Sequence, residues 1–148
     1  MTYSYLDRVR SSSTLKAPPR SRSVFRWVIG VMLIGHGLIH AMGPVEIWGL
    51  ADVQGLSGNT TLAVSNTAVQ ALALTWVAAM IVLVVAGIGA LTDRSWWKGV
   101  ALAGAILSQL VIAMWWSDAA TGTVPNIIIA IAVLLGDRFD LSPDAGEF

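Results

Sequence analysis

The 148-residue chain contains no cysteine. Disulfide bonds, thiolate metal ligands and cysteine nucleophiles are therefore excluded, and thiols give no indication of the redox compartment. Charged residues are also scarce: they make up 12% of the chain, against about a quarter in a typical soluble protein. The sequence has no Gly-rich phosphate loop, no Gly-x-Ser-x-Gly elbow and no His-Glu-x-x-His motif, so it indicates no hydrolase, kinase or nucleotide-binding activity.

The chain is instead rich in long apolar segments, and hydrophobic residues make up 55% of it. A helix needs roughly 20 apolar residues to cross the ~30 Å hydrocarbon core of a bilayer. The fourth segment is the least regular, because Pro125 fits best in the first turn of a helix. We predict an all-α polytopic membrane protein, a four-helix transmembrane bundle over 24–136, with spans at 24–42, 71–91, 97–116 and 119–135.

Flanking segments and charge predict the orientation of this bundle. We expect a disordered basic tail over 1–23 and an acidic tail over 137–148. In this topology all nine Lys and Arg residues lie on one side of the membrane, and cationic flanks stay cytoplasmic during insertion. Both termini should therefore be cytoplasmic in a bacterial-type plasma membrane. The topology signals nearest the helices are Arg20, Arg22, Arg26, Arg94, Lys98 and Arg138.

Other interpretations of the basic segment are weaker. It can contact anionic lipid or an acidic partner as well as orient the chain. Nucleic-acid binding is not expected, because no folded basic surface with interleaved aromatic residues accompanies the charges. A cleaved signal peptide would leave three spans, and two histidines would interrupt its apolar core. The seven tryptophans, all near predicted helix ends, are typical of membrane interfaces.

Polar side chains inside the predicted spans concentrate toward the outer side. His36 and His40 are four residues apart, so they share one helix face with a rise of about 6 Å between them. Polar groups in a membrane are costly unless they face the bundle interior, which makes this layer the default functional-site hypothesis. Ordinary hydrogen bonding between helices is the alternative. The candidate polar pocket consists of His36, His40, Gln109 and Asn126, and no catalytic residue is predicted.

The two histidines leave several roles open. They can be structural hydrogen-bonding groups, or they can contact a quinone or exchange protons. As metal ligands, His36 and His40 are weak candidates, because a closed site needs two further ligands such as Glu46 or Asp118. Haem is also disfavoured, since both imidazoles come from one helix face. The expected cofactor, if any, is a quinone.

The first span carries a specific pattern, RWVIGVMLIGHGLIHAMG. It contains Arg26, Gly30, the pair His36-Gly37, and His40. This resembles the opening helix of DoxX-like membrane proteins, in which an arginine, a glycine four residues on, a His-Gly pair and a basic residue occupy the same register. His40 stands where that family is expected to have lysine. The resemblance implies a small integral membrane subunit associated with quinone-linked or oxidative-stress redox chemistry.

Three functional hypotheses follow. The first is a membrane subunit or adaptor of a redox system, more a non-catalytic component than a stand-alone enzyme, which would work with a redox partner protein in the lipid bilayer. The second is a structural or assembly protein without chemistry of its own. The third is a carrier of a small molecule or metal. A homo-oligomer is compatible with all three, because thin glycine-containing helices bury more surface in a dimer.

Overall fold

The computed structural model describes residues 20–140, with side chains described over 23–135. All regular structure in this part of the chain is helical, and four helical segments are long and apolar enough to cross a membrane. The predicted all-α, four-span fold class is therefore confirmed. The helices are α1 (Arg20–Ile39), α2 (Met42–Ile47), α3 (Asn66–Leu72), α4 (Leu74–Leu91), α5 (Trp97–Met114), α6 (Trp116–Ala119) and α7 (Thr123–Asp140), with a 3₁₀ turn at Ala120–Gly122.

The first span consists of two helices, whereas the sequence predicts one helix over 24–42. Proline cannot occupy a helix interior, because it lacks an N–H and its ring clashes with the preceding turn. α1 accordingly ends at Ile39, and Pro44 lies in the first turn of α2, where no N–H is needed. The short connection is closed by tight backbone bonds, including His40 N to Gly37 O at 3.0 Å.

The second and fourth spans also begin differently from the predicted bounds of 71–91 and 119–135. Ser65 accepts a hydrogen bond from Ala68 N at 3.3 Å, and this N-cap starts α3 at Asn66. At the other end of the chain, α6 and the 3₁₀ turn precede α7, so the continuous helix begins at Thr123. Pro125 lies in its first turn, as the sequence indicates.

The predicted tails are only partly described. α1 begins at Arg20, so the last residues of the expected disordered segment 1–23 are helical, and residues 1–19 lie outside the described part. α7 continues to Asp140, so the expected acidic tail 137–148 is helical at its start, and residues 141–148 lie outside the described part.

Glycines allow α1 and α4 to approach closely. A Cβ on Gly87 would lie 2.7 Å from the backbone oxygen of Gly30, and one on Gly37 would lie 3.1 Å from Met80 O. Helices in lipid gain little from hydrophobic burial and associate through such close contact of small residues. α4 packs in turn against α5, and α5 against α7.

The two ends of the bundle differ in character. Arg26 of α1 forms an ion pair with Asp93 in the α4–α5 turn, next to Arg94, so these residues lie at one end. We call this the basic end. The opposite end, which carries the 48–65 connection, α6 and the 3₁₀ turn, is the loop end. The buried core toward the basic end contains Ile29, Leu33, Leu83, Ala86, Ala90, Trp97, Ala101, Ala105, Ile129 and Val133.

Candidate functional site

The 48–65 connection is held over the loop end by Asp118 of α6. The Asp118 carboxylate accepts from Ser57 N at 3.0 Å, from Ser57 Oγ at 2.8 Å and from Gly58 N at 2.9 Å. Trp115 Nε1 donates to Gly58 O at 3.3 Å, and Thr60 Oγ1 donates to Met114 O at 2.9 Å. The connection therefore forms a fixed cover on the ends of the membrane-spanning helices.

Beneath this cover, three helices share a set of side-chain hydrogen bonds that we call the polar network. His36 Nε2 lies 3.0 Å from Asn126 Oδ1 and 3.3 Å from Ser108 Oγ. The Asn126 amide donates to Ser108 Oγ at 3.0 Å and to Gln109 Oε1 at 3.1 Å. Gln109 Nε2 then donates to Thr123 Oγ1 at 3.2 Å. The network thus joins α1, α5 and α7 through side chains that are buried (His36, Ser108, Asn126) or half-buried (Gln109, Thr123).

Hydrogen-bond roles in the network follow from the assigned orientation of the Asn126 amide. Because Asn126 Oδ1 can only accept, His36 Nε2 carries the hydrogen. Both Asn126 amide hydrogens have acceptors, one on Ser108 and one on Gln109. His36, Ser108 and Asn126 are all buried. Satisfied polar groups of this kind hold helices together in a membrane.

His40 belongs to a second group, formed by aromatic rings beside the network. Its Nδ1 donates to His36 O at 3.0 Å, one helical turn earlier. The His40 ring meets the His36 ring edge to face at 4.9 Å between centroids, and the Trp76 ring lies 5.5 Å away. Trp76 in turn contacts Trp115 at 5.7 Å. This aromatic group is buried, with His40 3% exposed and Trp76 5% exposed.

A cavity of about 200 Å³ lies beside the His36, His40 and Trp76 rings and reaches Leu56 of the cover. An engineered cavity of roughly 150 Å³ accommodates benzene, so one six-membered ring fits here. Asp118 is the one charged residue that the described part of the chain contributes to its lining. Most of the remaining wall is apolar. The lining includes His36, His40, Trp76, Ile112, Asp118 and Gly122.

The structure brings the four predicted pocket residues to the same end of the bundle but in different roles. His36, Gln109 and Asn126 belong to the polar network, whereas His40 faces the aromatic group. Ser108, Thr123 and Trp76 also belong to this end, although none of them is among the predicted pocket residues. Ser108 precedes Gln109 directly and lies at the same depth in the span. This depth is the sequence signal that places Ser108 near the pocket.

The tryptophans do not all behave as interface residues. Trp76, Trp97 and Trp115 are buried inside the bundle, while Trp27, Trp48, Trp96 and Trp116 are exposed. The interpretation of Trp76, Trp97 and Trp115 as headgroup-facing rings is therefore corrected. Trp97 belongs to the core toward the basic end, whereas Trp76 and Trp115 lie at the other end. Their rings fill space between helices at the loop end, and Trp115 also donates to the cover.

The residues considered as metal ligands are otherwise engaged. Glu46 Oε2 accepts from Val53 N at 2.7 Å, and both Asp118 oxygens accept from the cover. Within the part of the chain that the structure describes, no three or more His, Asp or Glu side chains form a group that could hold a metal ion. His36 and His40 therefore do not form a metal-binding group with a third His, Asp or Glu side chain in this region.

Comparison of the chain with protein-family models, with curated proteins and with solved structures gave no match.

Proposed function

We propose that this protein is an integral membrane subunit of a redox system, of the DoxX-like type, and that the head group of a quinone-type carrier enters the cavity beside His36 and His40. The observation that carries the proposal is the ring-sized cavity of about 200 Å³ between both histidines and the cover. Its position toward one end of four membrane-spanning helices matches a molecule that has a polar head and a lipid-soluble tail.

The chemistry of the lining supports a neutral ring compound over an ion. Asp118 already accepts three hydrogen bonds from the cover, so its carboxylate is not directed at a cation. The apolar wall residues, such as Ile112, favour an apolar ring over a hydrated anion. In this proposal the chain binds and positions the carrier, and a redox partner protein transfers the electrons.

The test fills the cavity without removing any side chain of the polar network. A Cβ on Gly122 would lie 2.9 Å from Ile112 Cδ1 and 3.7 Å from His36 Cε1, so Gly122→Val adds methyl groups between these side chains. The end of Ile112 is flexible and can shift. We expect quinone-dependent electron transfer in isolated membranes to fall roughly tenfold, equivalent to about 1.4 kcal/mol of lost binding. His36→Ala combined with His40→Ala should reduce it at least as much.

Gly35→Val is the matched control, because a Cβ at Gly35 meets no atom within 4 Å and the residue is exposed. Electron transfer and membrane abundance should remain unchanged in this variant. If the double histidine variant and Gly122→Val both kept normal quinone-dependent electron transfer and normal partner recovery, the proposed function would be wrong.

We propose further that the basic end faces the cytoplasm of a bacterial-type plasma membrane. The Arg26–Asp93 ion pair supports this, because it joins the basic start of α1 to the turn that carries Arg94. Cationic segments are retained on the cytoplasmic side during insertion. A reporter fused within the turn at Arg94 should be active only as a cytoplasmic reporter, and periplasmic activity there would reverse the orientation.

A structural or assembly role is the second candidate, favoured by the closed hydrogen bonding of the polar network. Groups that satisfy one another need no ligand. This candidate predicts that partner proteins co-purify normally with the double histidine variant, whereas the redox proposal predicts lost electron transfer. A larger residue at Gly37 would not test a partner surface. Gly37 lies in the contact between α1 and α4, so the substitution would act on the bundle itself.

A further inference from the structure

Two residues of the cavity wall, His40 and Trp76, each have a buried ring nitrogen without a hydrogen-bond partner. Among the side chains and backbone groups that the structure describes, none forms a hydrogen bond with His40 Nε2 or Trp76 Nε1. We call these two atoms the open nitrogens. Both residues line the cavity. A buried polar atom without a partner costs free energy comparable to a lost hydrogen bond, so a ligand that bonds to such an atom gains that free energy.

The open nitrogens have opposite hydrogen-bonding roles. His40 Nδ1 must carry the hydrogen, because its partner, the carbonyl oxygen of His36, can only accept. In the neutral imidazole Nε2 is then an acceptor. Trp76 Nε1 carries a hydrogen and can only donate. A ligand that satisfies both must therefore donate to His40 and accept from Trp76.

We propose that the cavity selects its ligand through a hydroxyl group, which donates to His40 Nε2 and accepts from the Trp76 Nε1–H. This inference rests on the proposed function. It makes the hydroquinone form of the carrier, which has hydroxyl groups, the preferred ligand over the quinone form. The His40 and Trp76 rings are neighbours on the cavity wall, with 5.5 Å between their centroids, so a single hydroxyl group can lie against both rings.

A carbonyl oxygen does not meet the same requirement. It accepts from Trp76 but offers no hydrogen to His40, so one acceptor remains buried beside another. A site built to bond a hydroxyl rejects an analogue that lacks it more strongly than an apolar pocket rejects a change of shape. The preference for the hydroxyl form therefore follows from the opposite roles of the open nitrogens.

Neighbouring residues hold the two rings in place. A Cβ on Gly43 would lie 2.4 Å from Trp76 Cδ2, so the glycine lets the indole lie directly against the backbone of α2. Trp115 packs against the other side of the group at 5.7 Å, and the His36 carbonyl fixes the rotation of the His40 ring. Because the rings are positioned before the ligand arrives, less entropy is lost on binding.

The experiment compares 4-fluorophenol with 4-fluoroanisole, which differ in that the ether cannot donate a hydrogen bond. Binding of each compound to the full chain in lipid nanodiscs is followed by ¹⁹F NMR, with protein-free nanodiscs as the partition reference. We expect the phenol to bind at least tenfold more tightly than the ether. Gly122→Val should remove the binding of both, which assigns it to the cavity.

His40→Phe removes the acceptor to which only the phenol can donate, so it should reduce the preference for the phenol to about threefold or less. Trp76→Phe removes a donor from which the phenol and the ether oxygen can both accept, so it should weaken the binding of both compounds and leave most of the preference in place. Trp48→Phe is the matched control, because Trp48 Nε1 already donates to Gln70 O at 3.0 Å outside the cavity. Its preference for the phenol should equal that of the unaltered protein.

The possible results separate this inference from the proposed function. Equal binding of phenol and ether in the cavity would overturn hydroxyl selection and leave the ring site standing. Absence of binding by either compound, as expected if a water molecule permanently satisfies both open nitrogens, would also overturn hydroxyl selection. The proposed function is judged separately, by quinone-dependent electron transfer in the Gly122→Val and double histidine membranes.

Discussion

The basic half and the loop half of this bundle are held together in different ways. Toward the basic end, small and aliphatic residues such as Gly87 and Leu83 bring helices into direct contact. Toward the loop end, His36, Ser108 and Asn126 connect helices through side-chain hydrogen bonds, and a cavity of about 200 Å³ lies beside them. Close contact therefore dominates one half, and hydrogen bonding around an open space dominates the other.

This difference indicates how a small membrane protein can bind a ligand and remain folded. In lipid, contact between small residues supplies much of the association between helices, and the basic half contains that contact. The loop half can then accommodate unsatisfied groups such as His40 Nε2. If this division is correct, substitutions in the basic half should act mainly on stability, and those around the cavity mainly on binding.

The largest stability effect is expected from Gly87→Ala in the basic half. The added Cβ would lie 2.7 Å from Gly30 O and 2.6 Å from Ile34 Cγ1, so α1 and α4 must move apart. Overpacking of this kind costs about 1–3 kcal/mol. The thermal unfolding midpoint in mild detergent should fall accordingly. Gly35→Ala, where the new Cβ meets no atom within 4 Å, should not lower it. Equal midpoints for both variants would show that the close helix contact is not needed.

A smaller effect is expected from Asn126→Leu in the polar network. The substitution keeps the approximate volume but leaves His36 Nε2–H and Gln109 Oε1 without their amide partner. Hydrogen bonds between membrane helices contribute about 0.6–2 kcal/mol, so a loss near 1 kcal/mol is expected in detergent unfolding. Thr75→Val is the control, because Thr75 Oγ1 bonds only to Leu72 O one turn earlier at 2.6 Å. A larger loss for the control would argue against a stabilising network.

Sequence alone predicts the number of spans well and their ends less well. Run length and the placement of charges determine the four spans, but the N-cap at Ser65 and the position of Pro44 shift the helix ends. The depth of polar residues predicts that His36 and Asn126 share a layer. It cannot predict that they bond to each other, since this depends on how each helix is rotated about its axis.

The aromatic group shows the same limit more clearly. Trp76 and Trp115 lie near helix ends, and this position alone does not distinguish a ring that faces headgroups from one that faces the interior. The burial of Trp76 depends on Gly43, because a glycine at this position leaves room for the indole ring. The opposite hydrogen-bonding roles of the open nitrogens likewise depend on the bond from His40 to the His36 carbonyl, which only the folded helix supplies.

The smallest stability effect is expected from Asp93→Asn at the basic end. The polar contact there, between Asp93 and Arg26, lies at the edge of the bundle and not in its interior. Asp93 has φ 57°, a left-handed conformation that asparagine also tolerates, so the change removes the ion pair with Arg26 without straining the turn. The Asp93 side chain is 68% exposed, and exposed ion pairs contribute no more than about 1 kcal/mol. Salt screens such pairs, so any difference in unfolding midpoint should shrink between low and high ionic strength. Asp52→Asn, at an exposed carboxylate of the loop end, controls for the change in net charge. A salt-independent loss as large as that of Asn126→Leu would mean that polar contacts stabilise both halves equally, and the contrast between them would fail.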